Sequence, residues 1–349
     1  MNEFEQYKKI GDPDKRQKAE NWRIAIGLQE VDGLTPSPYL IQIATDNIEG
    51  KLSVEEAEQQ IATYYRHNPP STASEQSKRE ADEVSSRINK LLSTSAFTFS
   101  PAEYIAIHKY LFTEILDTKV AGQLRDFDIT KPEPILHGAS VQYGSALNLR
   151  ETLDYDFAQE KKFSYRNLTK KQAVAHIAEF VSDLWQIHPF SEGNTRTTAV
   201  FLIKYLRQLG FKADNSLFDE NALYFRNALV RANYQNLEYG IEKTTAYLDR
   251  FFGNLLFGEQ HPLKNRDLMI ALSPESRLEV TRKPPENHQK ILHALAHNPS
   301  AGRKELSVSL DMTENQVRGV INKLRDAGMI RRVGPDKGGY WQILTGYQI

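Results

Sequence analysis

His188-Pro189-Phe190-Ser191-Glu192-Gly193-Asn194-Thr195-Arg196-Thr197 is the stretch from which the architecture can be worked out. Upstream of it, Val174, Ile177, Val181, Leu184 and Trp185 recur at the spacing of one helical face, and Thr169 with Gln172 makes a capping box at the start. Downstream, Val200, Phe201, Ile203 and Leu206 continue at helical spacing until Gly210 stops them. A helix ending at His188, a tight loop and a second helix from about Asn194 are therefore expected. The free N–H groups and positive dipole end of that second helix make an anion site. Gly193 lets backbone approach an oxyanion, and Arg196 adds a fork of donors on the first turn. Glu192 puts a carboxylate beside the site, suited to a Mg2+ ion bridging phosphate oxygens. His188 can take a proton from an attacking hydroxyl near neutral pH. Base, metal carboxylate and phosphate cradle together describe phosphoryl or nucleotidyl transfer.

Each of these residues has a blander reading. A lone helix-ending histidine caps carbonyls, and a lone glutamate is solvated; the pattern, not the residue, favours chemistry here. Trp185 and Phe190 read as core, and His176 carries no role.

Farther upstream, Ser100-Pro101-Ala102-Glu103 opens a helix running through Ile107, Tyr110 and Leu111. Residues from about Gly122 to Ser145 hold two prolines, three glycines and short β-prone runs, which predicts a hairpin. Residues 1–68 read as a helical domain, with Ser53 and Glu56 capping its third helix. His67 to Lys78 (HNPPSTASEQSK) reads as a linker, with helix resuming from about residue 77. Residues 77–257 form a mainly α catalytic core. Residues 258–287, with Gly258, Pro262, Pro274, Pro284 and Pro285, read as a second linker. Residues 288–349 then show two short helices, a third opened by Thr313 with Gln316, and a hairpin through Arg331–Val333 and Tyr340–Ile343. This is a winged helix-turn-helix pattern.

The chain has 349 residues and a net charge of −1, so no global attraction to nucleic acid or anionic membrane is expected. No apolar run approaches membrane-spanning length, and the polar start lacks a signal-peptide core, so a cytoplasmic protein with no membrane partner is expected. With no cysteine, disulfides, iron–sulfur clusters, thiolate zinc sites and a cysteine nucleophile are excluded.

The stretch from His188 resembles the active-site motif of the Fic family, His-x-Phe-x-Asp/Glu-Gly-Asn-Gly-Arg-x-x-Arg, at His188, Phe190, Glu192, Gly193, Asn194 and Arg196. The resemblance implies an enzyme, a protein adenylyltransferase that moves AMP from ATP, with Mg2+, to a Tyr, Thr or Ser hydroxyl of a target protein or of itself. By it, His188 is the base, Phe190 an anchor, and Glu192 the metal ligand. Gly193, Asn194, Thr195 and Arg196 line the phosphates, and Asn233 and Tyr234 border the adenine. Leu136, His137 and Gly138 resemble the flap that aligns a target by strand pairing. Thr195 stands where the family has its second glycine, and Ala199 where it has its second arginine, which holds the γ-phosphate. Death-on-curing relatives also lack that arginine and move a phosphate instead. They carry lysine at the position of Thr195 and alanine at that of Gly193, so AMP transfer is favoured and phosphotransfer is the alternative.

The first domain resembles the antitoxin-like helical segment of some Fic proteins, in which a glutamate blocks the γ-phosphate site through the second arginine. Glu80 is the candidate inhibitory residue, although Ala199 denies it the family's partner. In the last domain, nine Lys/Arg against five Asp/Glu leave an excess of four positive charges. Asn315, Gln316, Arg318, Asn322 and Lys323 suit a recognition helix, with Arg331, Arg332 and Lys337 on the wing for phosphates. Protein interaction is the competing role for that domain. A DNA-binding regulator with a decayed Fic core is the competing reading of the chain, and homo-oligomerisation is left open.

Overall fold

The computed structural model describes residues 4–211, 217–270, 286–310, 312–326, 329–333 and 339–343. Among them the chain is mainly helical, with thirteen α-helices and one two-stranded antiparallel sheet. It divides into two compact units: Met1–Asp128, Tyr143–Gln235 and Glu242–Leu268 form one, and Ile129–Gln142, Asn236–Ile241 and Met269–Ile349 the other.

The first unit opens with α1 (Pro13–Gly27), a 3-10 turn Leu28–Asp32, α2 (Pro38–Ile48) and α3 (Val54–His67). Ser37 caps α2 by accepting from Leu40 N–H, and Ser53 with Glu56 forms the expected capping box on α3. Their apolar faces meet around Trp22, Leu40, Ile43, Ile48 and Ile61. Buried Trp22 satisfies its indole N–H on Asn47 Oδ1 at 2.9 Å. Helix α4 (Ala73–Ser93) starts earlier than the linker reading expects, because Thr72 and Glu75 form a second capping box. Buried Asp82 on α4 accepts from Ser37 N–H, Ser37 Oγ–H and Tyr65 O–H, tying α4 to α2 and α3.

The rest of this unit is α5 (Pro101–Phe112), α6 (Leu149–Lys162), α7 (Lys170–Ile187), α8 (Asn194–Gln208), α9 (Leu217–Asn233) and α10 (Ala246–Phe257). Every residue of α8 from Asn194 to Leu206 is buried, so α8 is the central rod of the unit. Tyr104, Phe157 and Phe201 pack edge and face against one another beside it. A buried carboxylate, Glu160, links α6 to α8 and α7. It accepts from Tyr205 O–H and Tyr165 O–H at 2.6 Å each and lies 2.6 Å from His176 Nε2.

The second unit contains α11 (Glu286–His297), α12 (Arg303–Ser309), α13 (Glu314–Asp326), β1 (Ile330–Val333) and β2 (Tyr340–Ile343). The strands pair antiparallel, Ile330 opposite Ile343 and Val333 opposite Tyr340. Ile291, Leu295, Leu306, Val317, Ile321 and Leu324 form its apolar centre. Thr313 and Gln316 cap α13 reciprocally, as expected. Lys337 and residues 271–285 of the expected linker lie outside the described residues.

The expected hairpin between Gly122 and Ser145 contains no strand. Within the second unit, its residues 129–142 form a loop closed by Glu133 N–H on Ala139 O (2.9 Å) and Gly138 N–H on Glu133 O (3.0 Å). Pro132 and Pro134 remove two alternate N–H donors, so a strand ladder cannot extend through them.

Candidate active site

Helix α7 ends at Ile187, and His188 turns out of it in the left-handed region, φ 48° and ψ 57°, with only 4% of its surface exposed. A buried non-glycine residue in that region is held there by its surroundings. Arg125, itself 5% exposed, supplies the hold. Its Nε–H donates to His188 O at 2.8 Å, its Nη1 to Phe127 O at 2.6 Å, and its Nη2 to Gly144 O. Arg125 N–H adds a bond of 2.9 Å to Pro189 O. A cation among the free carbonyls at a helix C-terminus satisfies groups that the helix cannot. The His188 ring lies between Tyr143 and Trp185, centroids 4.2 and 5.2 Å away. Its Nδ1 is 3.3 Å from Trp185 O.

The loop that follows is pinned from inside. Phe190 is fully buried and stacks on the His108 ring, centroids 3.7 Å apart and planes 10° apart. The Asn194 side chain closes the loop in both directions: Oδ1 accepts from Phe190 N–H at 3.0 Å, and Nδ2–H donates to Phe190 O at 2.7 Å. Gly193 has φ 73° and forms the N-cap of α8. A Cβ there would sit 2.3 Å from Phe112 Cε2, so the ring as well as the backbone demands glycine. Thr195 Oγ1 accepts from Trp185 Nε1–H at 2.9 Å, fixing the first turn of α8 to the last of α7. Glu192 is exposed. Among the described residues no group of three His, Cys, Asp or Glu could form a metal cage.

Arg196 is 3% exposed, and its Nε makes an ion pair but no hydrogen bond. Its Nη2–H donates to Glu80 Oε1 at 2.6 Å and its Nη1–H to Gln29 Oε1 at 3.0 Å. Its Nε lies 2.7 Å from Asp32 Oδ2 as an ion pair, while its plane sits over the Phe112 ring at 4.8 Å. Glu80 thus reaches an arginine of the His188 stretch other than the one absent at Ala199. Gln29 and Asp32, from the turn after α1, join it.

Asn233 is buried, and its amide N–H groups go to Ser182 O, Ser182 Oγ and Leu229 O; Tyr234 is 8% exposed. Leu136, His137 and Gly138 belong to the second unit, where His137 adopts φ 51° and its Nε2 lies 3.1 Å from Ile270 O. The sequence reading passed over His108, Phe112, Arg125 and Tyr143. All four lie outside the contiguous stretch, and only a set of tertiary contacts distinguishes them from ordinary core. His108 is held neutral: burial pushes its pKa down to about 4, and Arg196 pushes the same way against the Glu192 carbonyl.

Residues 98–206, from just before α5 into the last turns of α8, match the family model described as Fic/DOC. Over 138 residues the chain is 28% identical to "Probable protein adenylyltransferase y4lH" of Sinorhizobium fredii, covering 38% of this chain and 64% of that relative's length. The crystal structure of a Fic family protein from Desulfovibrio desulfuricans aligns at a TM-score of 0.42 and 15% identity, over 96% of this chain and 89% of that one. The N-terminal FIC domain of Bep8, a VirB-translocated Bartonella effector protein, aligns at 0.41 and 21% identity, over 55% of this chain and 88% of that one.

Proposed function

We propose that this chain is a protein adenylyltransferase, moving AMP from ATP to a hydroxyl side chain of a target protein or of itself. The observation that carries the reading is the junction of α7 and α8. There a constrained histidine precedes a glycine-capped helix start that carries a buried arginine on its first turn. The Fic/DOC match over 98–206 and the adenylyltransferase relative support the same chemistry.

The Trp185 carbonyl can only accept, so His188 carries its proton on Nδ1 and Nε2 is the basic nitrogen. Nε2 takes the proton of the incoming hydroxyl. The hydroxyl oxygen bonds to the α-phosphorus, and the bond from that phosphorus to the bridging oxygen breaks, releasing pyrophosphate. Helix-start N–H groups at Gly193 to Thr195 stabilise the phosphate charge. Asn194, its side chain committed to Phe190, shapes the loop and contributes through backbone. One exposed carboxylate, Glu192, suits a Mg2+ ion, which is held by one or two carboxylates with water and substrate phosphates. The ion would neutralise charge on the polyphosphate. Asn233 and Tyr234 border the adenine as wall, since the Asn233 N–H groups are already used.

Incubating the full chain with Mg2+ and ATP labelled at the α-phosphate tests this. Label should appear on protein and vanish with His188→Ala. Transfer of a γ-phosphate label alone would make the chain a phosphotransferase. No transfer by the parent chain or by Glu80→Gly would overturn the reading.

The second unit supports a separate role as a winged helix on duplex DNA. Val317, Ile321 and Leu324 turn α13 inward, leaving Asn315, Gln316, Arg318, Asn322 and Arg325 exposed on the other side. Arg331 stands exposed on β1. Arg318→Ala and Arg331→Ala should each lower the salt dependence of DNA affinity by about one counterion, read by fluorescence anisotropy. Binding too weak to detect at low salt would remove this role.

A further inference from the structure

We infer that His108 is a positioning residue of the phosphate loop, resting on the reading that this loop holds phosphates. Its hydrogen bonds determine how the Glu192–Gly193 peptide faces. His108 lies on α5, fully buried, between two backbone groups of opposite kind. Gly122 N–H, which can only donate, reaches Nδ1 at 2.9 Å. Glu192 O, which can only accept, lies 3.0 Å from Nε2. Nδ1 must therefore be bare and Nε2 must carry the hydrogen; no other neutral tautomer satisfies both.

The consequence is geometric. There is no cis bond in the chain's described backbone, so the Glu192–Gly193 peptide is trans and planar. Its C=O and N–H then point in opposite directions. Tying Glu192 O to His108 presents the Gly193 N–H on the side away from α5. Gly193 follows in the left-handed region at the N-cap of α8. Successive backbone N–H groups at such a turn make an anion-binding concavity. His108 does this without touching nucleotide or acceptor. Stacking on Phe190 and contact with Phe112, centroids 3.7 and 4.8 Å away, keep the ring in plane for both bonds.

Two conservative variants separate positioning from packing. His108→Gln keeps an N–H donor at the reach of Nε2, whereas His108→Asn keeps an acceptor near Nδ1 and stops short of Glu192. With full chains of matched Tm, His108→Asn should weaken Mg-ATP binding about tenfold, one hydrogen bond's effect. His108→Gln should stay within about threefold, and kcat should follow the same order. Equal losses in both variants would reduce the ring to packing and overturn the inference. So would equal affinity of parent and His108→Asn. In the nucleotide-free chain, nitrogen NMR of labelled histidine should show the Nε2–H form. The Gly193 amide resonance should move in His108→Asn and stay in His108→Gln. An Nδ1–H ring or an unmoved Gly193 amide would overturn it as well. Failure of the parent chain to bind Mg-ATP would instead strike the proposed function, leaving the NMR comparison to decide the role of His108.

Discussion

At Gly193 two constraints coincide, and they are separable by substitution. The backbone there is left-handed, φ 73°, and a side chain would also meet the Phe112 ring 2.3 Å from its Cβ. Gly210, at the end of α8, shares the conformation, φ 86°, but a Cβ there meets nothing within 4 Å. Gly210→Ala should therefore cost only the left-handed term, about 1 kcal/mol. Gly193→Ala should cost about 2–5 kcal/mol, the same term plus overpacking against a buried ring. Urea denaturation of both variants checks this, and equal costs would mean that Phe112 gives way freely. The sequence marks Gly193 as a loop glycine beside a helix start, and its resemblance proposes His188 as base and Phe190 as anchor. It does not reveal Phe112, His108 or Arg125 as their supports. Each is an ordinary-looking residue of a distant segment, and its importance exists only as a three-dimensional neighbourhood.

Helices were legible where their ends announce themselves. Ser53 with Glu56, Thr169 with Gln172 and Thr313 with Gln316 all form the reciprocal bonds that their spacing predicts. Thr72 with Glu75 has the same spacing, but two prolines and a polar run obscured it. Thr72→Ala should cost about 1 kcal/mol in thermal or urea unfolding, a normal N-cap loss, where a linker residue would cost almost nothing. The 122–145 segment failed as a hairpin for the opposite reason: β-prone runs were present, but Pro132 and Pro134 withhold the donors a ladder needs. Between α6 and α7, like charges meet. Burial, and then Asp183, push Asp156 up from 3.8 to about 6. Burial and Glu179 raise Asp183 too, with Lys243 opposing. A carboxyl whose folded pKa is raised binds its proton more tightly when folded, so its stabilisation is full below about pH 4 and is lost as pH rises to about 6. Asp156→Asn should accordingly raise Tm at pH 7 to 8 and lose that advantage below about pH 4. A gap independent of pH would assign the effect to packing.

Across the first unit, the N-terminal helices and the His188–Thr197 stretch meet at the Arg196 guanidinium. Arg196 is held by Glu80 from α4 and by Gln29 and Asp32 from the turn after α1. That convergence was only half legible. Glu80 is a candidate by resemblance, but the arginine it reaches is not the family's partner, and Gln29 and Asp32 carry no local signal. Arg196 gives Nη1–H to Gln29 and Nη2–H to Glu80, so under the proposed function a phosphate would compete with this pairing for the guanidinium. The competition has a sign in both directions. Removing the pairing by Glu80→Gly with Asp32→Asn should tighten Mg-ATP binding about tenfold, within the usual range of coupling between sites. Without nucleotide the same variant should melt lower than the parent, because a buried guanidinium has lost its counterions. Saturating Mg-ATP should then restore its Tm more than it raises the parent's, since phosphate takes the place the carboxylates held. Calorimetric binding and thermal melts, each with and without Mg-ATP, measure all three quantities on the same two proteins. An affinity unchanged in the double variant, with its fold intact, would mean that ATP does not use Arg196, and the pairing would be a strut joining the N-terminal helices to α8.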